Sequence, residues 1–393
     1  MEFNPFSPQV REDPYPFYAG LRRHAPVCEV PALGCWAVSR YEDVISILKD
    51  PATFSSTSLM TAMSDLNAVP GVPFMIASDP PVHTRLRKLV NRAFTPRAVA
   101  EMEPRIREIA RGLLKEMEGR EEFDLVAELS TPVPIVVIAE MLGVEPERRR
   151  QFKQWSDDLT AVTSGAVAAA QRDRITRSMA ELTAYLREAI EKRRVAPGTD
   201  LITGLVKAEE ENQALSADEI LAMTLLLLVA GNETTTNLIS NAVLALLQNP
   251  GEMAKLRARP ELAANAIEET LRYDSPVQMI FRQTTRKAEV AGTTIPAQAF
   301  VMPLYGSANH DERIFADPER FDLTRDASAH IAFGLGIHYC LGANLARLEG
   351  RIVLEELLAV SGKLERIDSP VERINSLIVR GPKSLRLRRG ARP

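Results

Sequence analysis

The sequence predicts a mainly α-helical protein with a small amount of β structure. From Pro80 to about Gly143, and again from Pro146 to about Lys192, Leu, Ile, Val and Ala recur with heptad-like spacing between charged residues. This pattern is typical of amphipathic helices. A longer helix is predicted from Ser216 towards Leu247. Alternating apolar and polar residues with turn signals occur only in a few stretches, so strands are expected to be a minor component.

The β structure is predicted near the front of the chain and again in its last third. The stretches "RRHAPVCEV" and "CWAVSR" have the composition of short strands, and "YEDVISILKD" after them reads as a helix that ends at Pro51. Later, "TTRKAEVAGTTIPAQAFVMPL" alternates and contains turn signals, which predicts a hairpin. The stretch "LIVRGPKSLRLRR" predicts a second hairpin near the carboxyl end.

The long helix has a clear start and an unusual middle. Ser216 and Glu219 have the spacing of a capping box, and "NPG" ends the pattern after Leu247. At ~1.5 Å per residue the helix would be about 45 Å long, and its apolar residues predict a position in the centre of the protein. Its middle, "VAGNETTT", places Glu233 among Gly and Thr residues. A buried carboxylate needs pairing or solvation, so this stretch indicates either a polar notch beside a cavity or a helix junction that binds water.

Composition and charge limit the classes of function that the protein can have. The 393 residues contain no repeat, low-complexity tract or Gly/Ser-rich linker, which predicts one globular domain over residues 1–393. Charged residues make up 25% of the chain and the net charge is -4, so no nucleic-acid partner is indicated. The longest apolar stretch, "LLLLVAG", is too short to span a membrane. Three scattered cysteines and an amino terminus without signal-peptide features predict a cytoplasmic protein.

Three short motifs carry candidate chemistry. In "FGLGIHYCLGANLAR", Cys340 follows a glycine-rich approach and precedes an apparent helix, and taken alone this thiol is compatible with a metal ligand, a nucleophile, a redox group or core packing. In "HTRLR", His83 and Arg87 are four residues apart on one helix face, where they can hold an anionic group or face solvent. In "EETLRY", Glu269 and Arg272 have the spacing of a helical ion pair.

Taken together, these motifs resemble the bacterial cytochrome P450 family. The cysteine loop, the Ala-Gly-Asn-Glu-Thr helix, the Glu-x-x-Arg helix, the His-x-x-x-Arg helix and the downstream "DPERFD" follow the family's order and rough spacing, from "DPYPFYAGLR" to "LRLRR". The resemblance implies a triangular, mainly helical body with a small β-rich lobe. It also implies haem b (iron protoporphyrin IX) as the cofactor.

The resemblance assigns roles around that cofactor. Cys340 looks like the thiolate ligand of the haem iron, and its place at a helix start would favour the anion. Such a thiolate donates electron density that promotes O–O cleavage. A structural charge cluster behind the haem is implied at Glu269, Arg272 and Arg320. The other cofactor-binding positions are Gly334, Gly336 and Gly342 beside the ring, Phe333 over the sulfur, and His83, Arg87, Arg282 and His338 at the two propionates.

On the opposite side of the ring, Glu233 and Thr234 match the acid-alcohol pair of members that activate O₂. The pair implies proton delivery without exposure of the iron to bulk water, and hence an O₂-dependent monooxygenase. Because no flavin or iron–sulfur segment is evident in the chain, electrons are expected from an external ferredoxin and ferredoxin reductase. Arg85, Lys88 and Arg92 form a basic helix face that would suit an acidic ferredoxin.

The substrate is expected to be a largely apolar small molecule that is hydroxylated or epoxidised, of the terpenoid, steroid, fatty-acid or polyketide type. The loop from about Ser55 to Ser78 would cover the pocket and holds one formal charge, Asp65. A lid from about Glu145 to Arg194 is expected to move. Pocket positions are expected at Met60, Met63, Met75, Val229, Ala230, Val277, Met279, Ile280, Leu377 and Ile378.

Two other function classes remain open from the sequence. A haem-thiolate binding or sensing protein would use the cysteine loop without needing Glu233 and Thr234. A zinc or thiol hydrolase built on His338 and Cys340 would need further ligands or a base, and none is evident nearby. Outside the family pattern, His310 is compatible with a surface position or a special role. Cys28 and Cys35 are expected to fill space in the amino-terminal β region.

Overall fold

Helices dominate the computed structural model, which describes residues 3–59, 69, 71–163, 169–210, 213–367 and 370–390. The described helices are α1 (Pro8–Glu12), α2 (Tyr15–His24), α3 (Tyr41–Lys49), α4 (Val82–Ala93), α5 (Pro96–Ala100), α6 (Glu103–Glu116), α7 (Pro132–Met141), α8 (Arg149–Thr163), α9 (Ala169–Val195), α10 (Leu201–Lys207), α11 (Ala217–Gln248), α12 (Pro250–Ala258), α13 (Ala263–Tyr273), α14 (Tyr305–Ala308) and α15 (Ala343–Val360). The prediction of a mainly helical fold is therefore confirmed.

The strands are short and form small sheets. One sheet has the order β1-β2-β10-β7-β3, in which only β2 and β10 are parallel, and a second has the order β11-β12-β4. The described strands are β1 (Val27–Val30), β2 (Cys35–Val38), β3 (Phe54–Ser55), β4 (Glu122–Asp124), β5 (Glu209–Glu210), β6 (Gln213–Ala214), β7 (Arg282–Thr284), β8 (Ala288–Val290), β9 (Thr293–Ile295), β10 (Phe300–Pro303), β11 (Leu364–Arg366) and β12 (Arg386–Arg389).

Helix α11 lies in the centre of the core, as its all-round apolar sequence predicts. It packs against α7, α9, α13 and α15. Its first turn carries the predicted capping box: the Ser216 hydroxyl accepts from the Glu219 amide at 3.1 Å, and the Glu219 carboxylate accepts from the Ser216 amide at 2.9 Å. The buried run from Ile220 is interrupted only near the middle, where Ala230 and Gly231 are exposed. This exposure in a core helix indicates open space beside the middle of α11.

The predicted front strands, helix α3 and the hairpin of β8 and β9 are present. The carboxyl-terminal hairpin is different. Its turn lies earlier, because the Ile374 amide donates to Gly381 and the Lys383 amide donates to Glu372. Strand β12 instead pairs with β11 and with β4, which comes from a distant part of the chain. A local alternation pattern identifies a strand but not a partner that is far away in sequence.

Within the described ranges, no helix combines the length and the apolar character needed to cross a bilayer.

The cap of α11 gives a stability prediction. Ser216→Ala removes the acceptor for the Glu219 amide and is expected to lower the free energy of unfolding by about 1 kcal/mol. Ser216→Asp keeps an acceptor at the same position and should recover most of that loss. Urea denaturation of the two variants and the parent measures the difference. Equal midpoints for Ser216→Ala and the parent would show that the cap contributes nothing.

Candidate active site

The cysteine loop reaches its shape through glycines with positive φ. Gly334 (φ 69°) and Gly336 (φ 72°) are both in the left-handed region. A Cβ on Gly336 would also lie 2.6 Å from the carbonyl oxygen of Leu48 in α3. The loop then closes, because the Cys340 amide donates to the Phe333 carbonyl at 2.9 Å. The backbone therefore holds Cys340 just before α15, as the sequence predicts.

Cys340 is exposed although protein surrounds it. Its surface is accessible, yet burial raises the pKa of its thiol, which indicates that the thiol borders open space within the protein. The Gly342 amide and the positive charges of Arg87 and Arg347 lower this pKa, but their effect is smaller than that of burial. The helix start is thus not enough to make the free thiol ionise readily, whereas a bound metal cation deprotonates a coordinating thiol.

A network that the sequence analysis missed supports the loop from behind. The Arg347 guanidinium lies 4.5 Å from the centre of the Phe333 ring and donates to both carboxylate oxygens of Glu268, at 2.7 and 3.0 Å. Burial alone would raise the pKa of Glu268, but hydrogen bonds from His330 and Arg347 lower it to about 2. Arg347 also donates to the Tyr339 hydroxyl at 3.2 Å. The only available sequence signal was that Glu268 and His330 adjoin recognised motifs.

The four predicted propionate-binding residues include a compact basic cluster. The rings of His83 and His338 are 4.3 Å apart, and the His338 Nε2 atom lies 3.0 Å from the hydroxyl of Ser56. Arg87 donates to the Tyr339 carbonyl at 2.8 Å. Arg282 is buried and donates to the carbonyl of its neighbour Phe281.

The electrostatics of this cluster favour binding of an anion. Burial lowers the pKa of His338 to about 3, with further lowering by the charges of Arg282, His83 and Arg87. Burial also lowers the pKa of His83, and both of its ring nitrogens are buried without a hydrogen-bond partner among the described residues. Buried polar groups are normally satisfied. Carboxylates bound here would supply acceptors and offset the positive charge, so the cluster fits the propionates of haem.

The helix opposite the loop has room for a ligand. Thr234 donates from Oγ1 to the Ala230 carbonyl at 2.8 Å, and Glu233 is half-buried beside it. Helical structure continues through this stretch, so the threonines do not break the helix. A Cβ placed on Gly231 would meet no described heavy atom within 4 Å, and the same is true of Gly342 next to Cys340. Open space at both positions is compatible with a bound cofactor and ligand.

The predicted substrate positions differ in placement. Val229, Val277, Ile280 and Leu377 are half-buried, and Ala230 and Ile378 are exposed. Met75 is 7% exposed and packs into the main core. Met279 is 2% exposed and packs with Phe3, Tyr18 and Leu304 beside α1 and α2, a packing that does not favour contact with substrate. Met60, Met63 and Asp65 lie outside the described residues.

The structural charge cluster needs one correction. Glu269 and Arg272 form the predicted pair, fully buried, with two N···O distances of 2.8 Å. The third side chain is Arg325, whose Nε lies 3.2 Å from Glu269. The guanidinium of Arg320 is 64% exposed and faces Asp322, and only its backbone carbonyl accepts from Arg272. The turn before Arg325 brings that side chain inward, which sequence position alone does not reveal.

His310 is buried, not a surface residue. Its ring stacks on Tyr15 of α2 with the centroids 4.1 Å apart. Its Nε2 atom lies 2.8 Å from the carbonyl oxygen of Tyr273 at the end of α13, and its Nδ1 atom lies 3.3 Å from the Glu319 carboxylate. It therefore joins two helices and a loop. Cys35 is buried and Cys28 is half-buried, in agreement with a packing role.

The described residues contain no cluster of three or more His, Cys, Asp or Glu side chains suited to a metal ion. The hydrolase alternative, which needs such ligands around His338 and Cys340, gains no support from them.

The corrected cluster gives a paired prediction. Arg325→Gln removes a charged hydrogen bond to buried Glu269 and is expected to cost about 1–3 kcal/mol of stability and to reduce haem retention. Arg320→Gln should leave both nearly unchanged, because its guanidinium lies mostly in solvent. Thermal unfolding and the haem-to-protein ratio measure these effects. A larger loss in Arg320→Gln than in Arg325→Gln would restore the original assignment.

Comparison with known proteins now identifies the family. The family model described as cytochrome P450 matches residues 34–360. The solved structure of cytochrome P450 CYP109Q5 from Chondromyces apiculatus is 44% identical, with a TM-score of 0.91 over 98% of this chain and 97% of that one.

Two curated relatives are enzymes. Vitamin D(3) 25-hydroxylase from Pseudonocardia autotrophica is 42% identical over 90% of this chain and 88% of its own length. Erythromycin C-12 hydroxylase from Saccharopolyspora erythraea is 40% identical over 95% of this chain and 94% of its own length. These matches show that the chain belongs to the cytochrome P450 family and is a haem-binding monooxygenase, and the cysteine loop and the basic cluster agree with that assignment.

Proposed function

We propose that this monooxygenase inserts one oxygen atom from O₂ into a bulky, largely apolar molecule, by hydroxylation or epoxidation, with electrons from an external ferredoxin and its reductase. The observation that carries this proposal is the exposed Ala230–Gly231 step, which opens beside Glu233 and Thr234 on the helix opposite Cys340. The names of the relatives, which refer to vitamin D(3) and erythromycin, support steroid-type and polyketide-type substrates. Free cysteines agree with a cytoplasmic location.

The residues of the proposed site have separate roles. When bound, haem would supply the iron centre that activates O₂. Cys340 provides the sulfur ligand. The Arg347 guanidinium lies over the ring of Phe333, and this ring covers the loop that carries Cys340. His83, Arg87, Arg282 and His338 bind the carboxylates of the cofactor and fix its orientation.

Glu233 and Thr234 handle protons on the substrate side. The Thr234 hydroxyl donates to the Ala230 carbonyl, so its oxygen lone pairs can accept a hydrogen bond from a water in the cavity. Glu233 adjoins it and can exchange a proton with such a water. Because both side chains lie on a core helix, protons can reach the cavity while bulk water stays excluded.

The predicted lid is tied to the same helix. Residues 149–163 and 169–195 form α8 and α9. The Asn232 side chain in α11 donates to the Ser156 hydroxyl in α8 at 2.6 Å, one residue before Glu233. Movement of α8 during substrate entry would therefore act directly on the part of α11 that carries Glu233 and Thr234.

The proton-delivery role is tested with Thr234. Thr234→Ala removes the hydroxyl and should divert most of the electron flow to peroxide or water, whereas Thr234→Ser should stay largely coupled. The measurement is the ratio of product to reductant consumed, with peroxide determined in parallel. Full coupling in Thr234→Ala would contradict the proposed role, and normal ferrous–CO spectra in both variants would show that the haem site is intact.

The ferredoxin is proposed to dock on α4. Lys88 and Arg92 are exposed on this helix, whereas His83 and Arg87 of the same helix belong to the haem site. Arg85, the third residue of the predicted face, is partly buried and forms an ion pair with Glu219 at the start of α11. Judged by exposure, the docking face is therefore narrower than the sequence predicts and centres on Lys88 and Arg92. An acidic partner bound there would lie on the helix that holds the cofactor.

The docking proposal predicts a salt-dependent defect. The double variant Lys88→Gln/Arg92→Gln should reduce the ferredoxin-driven rate by about tenfold at low salt and flatten its dependence on ionic strength. Arg148→Gln/Arg150→Gln removes two exposed charges elsewhere and should leave both properties unchanged. Stopped-flow reduction by ferredoxin provides the rate, and dithionite reduction confirms an intact haem. An unchanged rate and salt slope in the first variant would rule out this face.

A further inference from the structure

A cleft separate from the haem-binding residues lies between the amino-terminal helices and the segment from Arg373 to Arg380. The cleft is open to solvent on one side. None of its lining residues belongs to the cysteine loop or the basic cluster. One side is apolar and includes Phe3, Val10, Met279 and Leu377.

The polar side of the cleft carries an excess of positive charge. Its lining contains Arg11, Arg373 and Arg380 but no Asp or Glu. Behind the lining, the buried carboxylate of Asp274 lies 2.9 Å from the Arg380 Nε and 3.2 Å from an Arg373 nitrogen. Two guanidinium groups thus share one carboxylate. A buried charge that lacks full compensation is costly, so this arrangement favours an added anion.

The two inner arginines differ in what remains available for a ligand. Arg380 uses all of its nitrogens, since it donates to Asp274 and to the carbonyls of Arg11 and Glu12. Arg373 uses Nη1 alone, towards Asp274 and the Asn241 side chain at 3.2 Å. For its Nε and Nη2 atoms the described residues provide no hydrogen-bond acceptor. Asp274 and Asn241 therefore hold one edge of Arg373 in place and leave the other edge available.

The pKa values of Arg373 and Arg380 also indicate incompletely compensated positive charge in the cleft. Burial lowers the pKa of Arg373 and outweighs the attraction of Asp274, while the pKa of Arg380 is raised because Asp274 and its hydrogen bond outweigh burial. Arg373 is thus the under-compensated cation of the pair. At the mouth of the cleft, the half-buried Arg11 makes no ion pair with any residue in the described ranges.

We propose that this cleft binds a small carboxylate with an apolar chain. The carboxylate takes a two-point contact with the free edge of Arg373 and a further contact with Arg11, and the chain lies along Phe3, Met279 and Leu377. The apolar half of the lining selects an amphiphile over a simple inorganic anion. The proposed carboxylate contacts involve no haem-binding residue, whereas Met279 and Leu377, which the sequence analysis assigned to the substrate pocket, also line this cleft.

The test uses octanoate and the holoenzyme, with the haem pocket filled by 4-phenylimidazole coordinated to the iron. Isothermal titration calorimetry should show one saturable octanoate site. Arg373→Gln should weaken binding at least tenfold and Arg11→Gln about threefold to fivefold. Octan-1-ol, which lacks the charge, should bind more weakly and with no difference between parent and variants. Arg23→Gln on α2 removes a nearby exposed charge that does not line the cleft and should leave octanoate affinity unchanged.

Three results would overturn the proposal. Loss of octanoate binding when the imidazole is present would place the fatty acid in the haem pocket alone. Equal octanoate affinity in the parent, Arg373→Gln and Arg11→Gln would show that the two arginines do not contribute to the site. If octan-1-ol bound as tightly as octanoate, the carboxylate would have no role in binding. If Arg373→Gln fails to fold because Asp274 loses a partner, Arg11→Gln decides, since its side chain supports no described contact.

Discussion

The buried ion pair of Glu269 and Arg272 is the interaction on which the position of the cysteine loop depends. Both side chains are at most 1% exposed. Arg272 also donates to the carbonyls of Asn309, Pro318 and Arg320, which fixes the segment after α14 against α13. A charge buried this deeply is tolerated only when every donor finds an acceptor, so the pair imposes one path on the chain around it.

That path leads directly to the loop of Cys340, the proposed haem ligand. The Asn309 side chain donates to Ser275 and accepts from the Ile331 amide at 2.7 Å, and the Ile331 carbonyl accepts from the Gly334 amide at 2.8 Å. The Phe333 carbonyl then accepts from the Cys340 amide. A rigid, fully satisfied polar network thus ends at a loop whose sulfur faces open space. A rigid support beside an accessible sulfur suits metal binding, because a metal ligand must be held in position by groups that do not themselves bind the metal.

The fold class and the central helix with its cap could be predicted from the sequence because they depend on local spacing. The roles of Cys340 and the basic residues were implied by the resemblance to the cytochrome P450 family and are part of the proposed function. The remaining features depend on contacts between distant segments. Arg325 replaces Arg320 in the charge cluster because a turn reverses which side chain points inward. His310 is buried because Tyr15, almost 300 residues earlier, stacks on it. Arg85 leaves the basic face because Glu219 pairs with it.

Three glycines near the proposed site differ in what their surroundings require. Gly336 is required by its neighbour, because any side chain would collide with the Leu48 carbonyl. Gly231 and Gly342 have no such neighbour: a Cβ at either position would meet only open space among the described atoms. Protein packing therefore does not explain the absence of a side chain at these two positions. Larger residues there would fill the cavity that the basic cluster and Cys340 face, and the protein would gain apolar contact at the cost of cofactor and ligand space. Stability and function thus make opposite demands on the middle of α11, and the exposed Ala230–Gly231 step in an otherwise buried helix reflects the demand of function.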